Sequence, residues 1–348
     1  MSARRVSPLV LAGLSVLLFG VSVLVSMAVG SRDTAFTEIL RALPAAARGV
    51  IDPGFLTSIP FDDTVLLLTG QRIPRTVLAV MSGMALGVAG TLMQGLTRNP
   101  LADPGILGVN AGAAAAVAVG MATGLVPGAS DFVWPALIGA VAVTALLFLL
   151  SSLGPTAANP LVFVLAGMAM TALLMAVVNA LMLKDAQVLD ALRVWAAGSV
   201  ANRDLGVART VAPLVVAGLV AALSLGGALN LLSLGEDVAH TLGLPVTRYR
   251  VIGMLSIAVL GAVAVACAGP VSFIGLAAPH MIRGLTGPDY RAILPISVVV
   301  GGLLALWADI LGRLLARPAE LPMGIVLALL GVPLFIWLVR RGRVGGSL

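Results

Sequence analysis

The sequence predicts an all-α polytopic membrane protein with about ten hydrophobic elements. Three observations carry this. Hydrophobic residues make up 59% of the 348 positions and charged residues only 10%, against about 25% charged in soluble domains; mean hydropathy is +1.10. Uncharged runs continue for about 20 residues, the length of a helix crossing a ~30 Å hydrocarbon core, rather than alternating over about ten as in a membrane β-barrel. Gly (40) and Pro (20) are plentiful, which suits spanning helices with close contacts and breaks.

The first run, Pro8 to Val29, follows Arg4 and Arg5. It is too long for a signal-peptide core and no A-x-A-like site closes it, so a retained helix is predicted. The second runs from Ile73 to Leu96 and the third from Ile106 to Val126. No charge occurs between Asp131 and Lys184; Gly154-Pro155 and Asn159-Pro160 break this stretch into a fourth and a fifth span. The sixth lies between Arg209 and Glu236. Val251 to Ile282 is cut at Gly269-Pro270 into a full helix and a short eighth element, Val271 to Ile282, which extends through Arg283 or packs as a half-helix. Ile293 to Leu315 and Leu321 to Val339 complete the set.

An even count puts both termini on one side. Lys and Arg are shared almost equally between the two sets of loops, so only the terminal clusters, Arg4-Arg5 and Arg340-Arg341-Arg343, favour both ends inside. Two loops have helical character of their own. Thr34 to Leu43 spaces Phe36, Ile39, Leu40 and Leu43 as one helix face and is predicted to lie on the outer surface. In Ser233 to Pro245, Ser233 and Glu236 stand at capping-box spacing, and Gly243 and Pro245 stop a helix of about two turns. Val238, Ala239 and Leu242 fall on one side of it. Such a helix either docks another protein or tiles the membrane surface.

Whole classes of chemistry are absent. Cys267 is the one cysteine, read as a buried small hydrophobe, so the chain forms no disulfide or iron–sulfur cluster of its own. His280 and His240 are the two histidines, and neither opens an HExxH motif. The single lysine, Lys184, follows Leu183, so the GK of a P-loop is missing and the chain has no Walker motif for ATP. The net charge of +6 is assigned to membrane flanks, since no clustered basic domain would bind nucleic acid.

Several stretches, in order, carry a resemblance. Arg72-Ile73-Pro74-Arg75 is followed by Gly83, Gly87, Gly90 and Gln94, then by Arg98-Asn99-Pro100-Leu101-Ala102-Asp103-Pro104 and Leu107-Gly108-Val109. Leu234-Gly235-Glu236 with Leu242-Gly243, and Gly269 to Leu276 leading to Pro279-His280 and Arg283, come later. Ala308-Asp309, Arg313, Glu320 to Gly324 and Gly331 to Phe335 close the series. Across residues 8–340 the chain resembles the FecCD-type permeases of ABC importers, which carry iron-siderophore complexes, haem or cobalamin.

The resemblance implies the type II ABC importer permease fold, one transmembrane permease domain over 1–348, both termini cytoplasmic, and residence in the bacterial cytoplasmic (inner) membrane. It implies a second permease copy, identical or a sister chain, to complete the pore. It implies a pair of ABC ATPase subunits, which use the ATP, and a periplasmic or lipid-anchored substrate-binding protein. No cofactor or metal belongs to this chain. The loop 230–246 matches the cytoplasmic coupling helix, with Gly235, Glu236, Ala239, Leu242 and Gly243 docking the ATPase. Arg72, Arg75 and Arg313 match outer-face residues that pair with acidic groups of the binding protein; interfacial snorkelling is the other reading of Arg72 and Arg75. Asn159-Pro160 stands where the family has its inner gate but departs from the small polar residues of some relatives.

Other residues are weighed singly. Asn99-Pro100 and Asp103-Pro104 end the second span, as a rigid turn beside the inner gate or a plain loop. Gly83 and Gly87 are read as a close helix contact. Met168, Thr171 and Met175 share a face of the fifth span, which by resemblance lines the path with the tenth; packing is the alternative. His280 is read as a structural hydrogen-bonding residue in preference to a haem or iron ligand. Asp309 lies about 24 Å along its helix from Ile293, near an interface, four residues before Arg313, so an ion pair is predicted. A proton-coupled secondary transporter would need a carboxylate or histidine at mid-membrane depth, and none is evident. The expected function is permeation of an iron chelate, a ferric siderophore before haem or cobalamin.

Overall fold

The computed structural model describes residues 7–30, 34–60, 62–128, 131–152 and 160–340. Within them the elements are α1 (Pro8–Ala28), α2 (Phe36–Ile51), α3 (Pro53–Ser58), α4 (Asp63–Leu67), α5 (Ile73–Thr97), α6 (Val109–Ala122), α7 (Val133–Ser152) and α8 (Pro160–Lys184). They continue as α9 (Ala186–Ala196), α10 (Leu205–Leu223), α11 (Gly226–Ser233), α12 (Glu236–Thr241), α13 (Val246–Ala268), α14 (Ile274–Thr286), α15 (Tyr290–Leu315) and α16 (Met323–Arg340). A wide π-turn at Leu68–Arg72 joins α4 to α5, and a 3-10 turn at Pro104–Leu107 precedes α6.

Among the described residues seven helices are long and apolar enough to cross a membrane: α1, the continuous Asp63–Thr97 stretch, α7, α8, α10, α13 and α15. With α6, α14 and α16 they account for the predicted hydrophobic elements. Two predicted spans differ from expectation. The third is not a helix over 106–126. Gly108, at φ +70°, separates the 3-10 turn from α6, whose 14 residues cover about 21 Å, short of a bilayer core. The sixth starts at Leu205, where the Asp204 side chain caps the Gly206 amide, and ends at Leu223, so that α11 is a separate helix. The predicted outer helix, α2, runs past Leu43 and Pro44 to Ile51, burying Ile39, Ala42, Ala46 and Gly49 beside Met27, Val65 and Leu68.

Helix α5 is the hub, wrapped by α10, α13, α14 and α15. Lipid tails give no hydrophobic push between apolar helices, so association rests on close approach. The glycines supply it. A Cβ on Gly83 would lie 2.3 Å from the Gly301 carbonyl oxygen of α15, and one on Gly87 2.6 Å from that of Ser297. The Gly83–Gly87 pair is therefore the close contact its spacing predicts. Gly90 is tighter still, its missing Cβ 1.9 Å from the Gly275 carbonyl of α14.

Because that neighbour is backbone, Gly90→Val must separate α5 from α14. The variant should lose folded yield and show a lower thermal midpoint in detergent, at a cost of about 1–3 kcal/mol or more. Gly13→Val in α1, where no atom lies within 4 Å of a Cβ, should leave both unchanged.

Candidate functional site

A cavity of about 840 Å³ opens where α8, α14 and α16 meet the α5–α6 connection. Met168, Thr171 and Met175 of α8, which the sequence puts on one face, all line it, together with Ala328 and Val332 of α16. Ser272 and Phe273, ahead of α14, and Asp103, Gly105 and Asn110 complete the polar and backbone part of the wall. The wall is mostly apolar, with the flexible thioethers of Met168 and Met175 exposed toward it.

Two irregular segments carry the polar groups. After α13 the chain leaves helical geometry at Gly269, φ +73°, and regains it only at Ile274; Phe273 takes φ +82°, a costly conformation for an aromatic residue. Its ring occupies the space beside Gly331. The other segment follows α5. Asp103 Oδ1 accepts the Gly105 amide at 2.8 Å and opens the 3-10 turn. A Cβ on Gly275 would lie 3.1 Å from the Leu86 carbonyl and 3.3 Å from Asp103 Oδ2. Leu86 is halfway along α5, so the Asp103 carboxyl stands beside the middle of that helix. The sequence set Asp103 in the turn that ends the second span, beside the inner gate or in a plain loop; the structure folds that turn back against α5 and into the cavity wall. Helix α6 is too short to span, and the loop before it dips inward to meet its start. Asn99 and Pro100 form the turn at the end of α5, with Asn99 Oδ1 accepting the Leu101 amide at 2.9 Å, and lie outside the cavity wall. Asn159 falls outside the described residues, and Pro160 opens α8.

At the membrane face carrying α2, the three arginines implied as docking cations are engaged within the chain. Arg72 is 4% and Arg313 2% exposed. Arg72 donates to the Met27 and Ala28 carbonyls and to Thr34 Oγ1. Arg313 donates to the Ser26 and Val29 carbonyls and to Ser26 Oγ, while Arg317 reaches the Gly30 carbonyl at 2.7 Å. The last turn of α1 leaves carbonyls without amide partners, and guanidinium groups satisfy them. Arg75 Nε holds both Asp309 oxygens, at 2.8 and 3.0 Å, and its Nη1 pairs with Glu320. Neither free docking nor snorkelling describes this arrangement. The predicted Asp309–Arg313 pair is present at 3.1 Å, but as part of a buried cluster rather than at an open interface.

At the opposite face, α12 starts after Gly235, φ +113°, with no side-chain cap. The predicted capping box is absent because Ser233 Oγ donates backwards to the Asn230 carbonyl at 2.6 Å. Glu236 instead pairs with Arg250 and, at 3.6 Å, with Arg98. Ala239 is fully buried and anchors the helix, so it cannot meet a partner directly; Val238 and Leu242 are exposed. Gly243, φ +81°, ends the helix, and the Leu244 amide returns to the Ala239 carbonyl at 3.0 Å. The apolar pair that faces outward is thus Val238 and Leu242, readable from their i, i+4 spacing once Ala239 is known to point in. Cys267 is buried as predicted.

Removing one partner from the Arg75–Asp309–Arg313 cluster leaves buried charge uncompensated. Asp309→Asn should cost about 3–5 kcal/mol and lower the detergent thermal midpoint well below that of Glu320→Gln, whose partner retains Asp309.

The family model described as the FecCD transport family matches residues 17–341. The chain is 42% identical over 315 residues to the ferric enterobactin transport system permease protein FepD of Escherichia coli, covering 90% of this chain and 93% of that one. It is 40% identical to the hemin transport system permease protein HmuU of Yersinia pestis, over 78% and 82% of the two chains. A solved inward-facing conformation of a metal-chelate type ABC transporter matches with a TM-score of 0.79 and 28% identity, covering 96% of this chain and 99% of that one. The chain therefore belongs to the FecCD transport family, as a multi-pass membrane permease of the kind that serves iron-chelate ABC importers.

Proposed function

We propose that this chain forms half of the translocation path of an ATP-driven importer and carries a ferric siderophore across the bacterial cytoplasmic membrane. A second permease copy completes the pore, an ATPase pair docks on α12, and a binding protein delivers the chelate to the face carrying α2. Both termini then lie in the cytoplasm. The cavity is the observation that supports this best: about 840 Å³, within the ~300–1,000 Å³ range of small-molecule sites, apolar on most sides and adaptable through Met168 and Met175. Siderophore permeases among the relatives support that cargo as the first choice, and the hemin permease keeps haem as the next candidate. The chain itself performs no chemistry in this reading; ATP is hydrolysed by the partner.

Asp103 is the observation that favours a proton-coupled transporter instead. Its carboxylate, however, caps the 3-10 turn, and among the described lining residues no other carboxylate or histidine continues a proton path. ATP-driven transport remains the better account.

Uptake of radio-iron siderophore by iron-starved cells lacking the chain should fall and be restored by the intact gene. Unchanged uptake across a siderophore panel, with loss of haem iron uptake, would move the cargo to haem. Docking is tested separately. Leu242→Asp should weaken co-purification of the ATPase about tenfold to a hundredfold, since burying a leucine is worth about 1.5–3 kcal/mol; undiminished co-purification would remove α12 from the docking surface.

A further inference from the structure

The connection between α5 and α6 touches both the α12 helix and the cavity. At one end Arg98, the C-cap of α5, takes the left-handed conformation at φ +51° and sets its guanidinium 3.6 Å from Glu236. At the other end Asp103 and Gly105 line the cavity. Between them the backbone is a series of closed turns. The Ala102 amide bonds to the Asn99 carbonyl at 3.1 Å, Asn99 Oδ1 holds the Leu101 amide, and Asp103 Oδ1 holds the Gly105 amide. The Gly108 amide then bonds to the Gly105 carbonyl at 3.1 Å, and Pro100 and Pro104 fix two φ angles. Such a segment has little internal freedom, so a displacement at Arg98 is felt at Gly105.

A second chain of contacts joins the same regions and makes a contrast. Asn230 of α11 accepts the Tyr290 amide at 2.8 Å and donates to Asp289, holding that carboxyl below the usual carboxylate range. Arg283 bridges Tyr290 Oη at 3.0 Å and Gln94 Oε1 at 2.9 Å, and Gln94 donates to the Gly275 carbonyl at 3.3 Å. Gln94 and Tyr290 are buried, so this chain is a fixed brace. The Glu236–Arg98 contact is different: 30% and 40% of the two side chains are exposed and the pair is long. Exposed pairs of this kind add little to stability, and they rearrange without unfolding anything.

We propose that Arg98 is a positioning residue that couples movement of α12 to the cavity wall. Glu236 has one partner, Arg250, on the helix that α12 leads into, and the other, Arg98, on the α5–α6 connection. A partner that shifts α12 moves Glu236, and the attraction between Glu236 and Arg98 biases which position of the connection, with Asp103 and Gly105, is favoured. This rests on the reading of α12 as the ATPase-docking helix.

The test uses the complete transporter in proteoliposomes: this chain, its ATPase and its binding protein loaded with radio-iron chelate. The readout is chelate moved per ATP hydrolysed. Arg98→Ala should lower that ratio about threefold or more while the ATPase still co-purifies, and Arg98→Lys should retain it. Arg98→Gln, which keeps a polar side chain of similar length, should match Arg98→Ala and guards against a folding defect in the latter. Combining Arg98→Ala with Glu236→Gln should add no further loss. An unchanged ratio in Arg98→Ala and Arg98→Gln, or a double variant equal to the product of the singles, overturns the proposal. Cysteine cross-linking from Val238→Cys to the ATPase separates the two readings. A cross-link together with additive losses rejects the Arg98 relay alone, whereas no cross-link rejects α12 docking and the relay with it.

Discussion

Within hydrocarbon, a helix end has no water to satisfy its free amides and carbonyls, and the chain must supply partners itself. Much of the polar architecture follows from that constraint. The carbonyls that close α1 are met by Arg72, Arg313 and Arg317. Asp103 accepts the amide that opens the 3-10 turn beside the cavity, whereas Asp62, Asp185, Asp204 and Asp289 cap helix starts at exposed positions, where water is an alternative partner. In a chain with so few charges, acidic and basic residues have become helix caps and cap supports. The Asp309 carboxylate neutralises part of the cationic charge that this capping concentrates.

The same constraint explains where the cavity lies. Irregular backbone at membrane depth is tolerated only inside protein or beside an aqueous space. The two irregular segments, Gly269 to Phe273 and the connection before α6, both face the cavity. They are held there by glycines: Gly90 and Gly275 bring α5 and α14 into backbone contact, and this sets the height at which α14 begins. Rigid packing around α5 thus fixes one side of the cavity, while α8, exposed along most of its length, and α16 form the other.

The two membrane faces differ in kind. The face with α2 is bound by buried, multiply hydrogen-bonded ion pairs that resist rearrangement. At the face with α12 the Glu236 contacts are partly open to solvent, and Val238 and Leu242 are apolar and uncovered. The polar contacts at the second face are therefore the freer of the two sets to rearrange.

Hydropathy and breaker residues by themselves determined the helical class, the set of hydrophobic elements, the Gly83–Gly87 contact and the Asp309–Arg313 pair, because these depend on local composition and on spacing along one helix. The face shared by Met168, Thr171 and Met175 was legible for the same reason. What only the tertiary structure decided was how partners distant in sequence dispose of each polar group. Arg72 and Arg75 look free in sequence because the α1 carbonyls and the carboxylates of Asp309 and Glu320 lie far away along the chain, and for Arg313 spacing reveals Asp309 but not the α1 carbonyls it also bonds. Ser233 carries a capping signature but bonds to Asn230 instead, and Ala239 turns inward against the core. Asp103 reads as a loop residue until the shortness of α6 draws its loop inward against the middle of α5. Periodicity reports which face of a helix a residue shares; depth and partnership are set by how the helices pack.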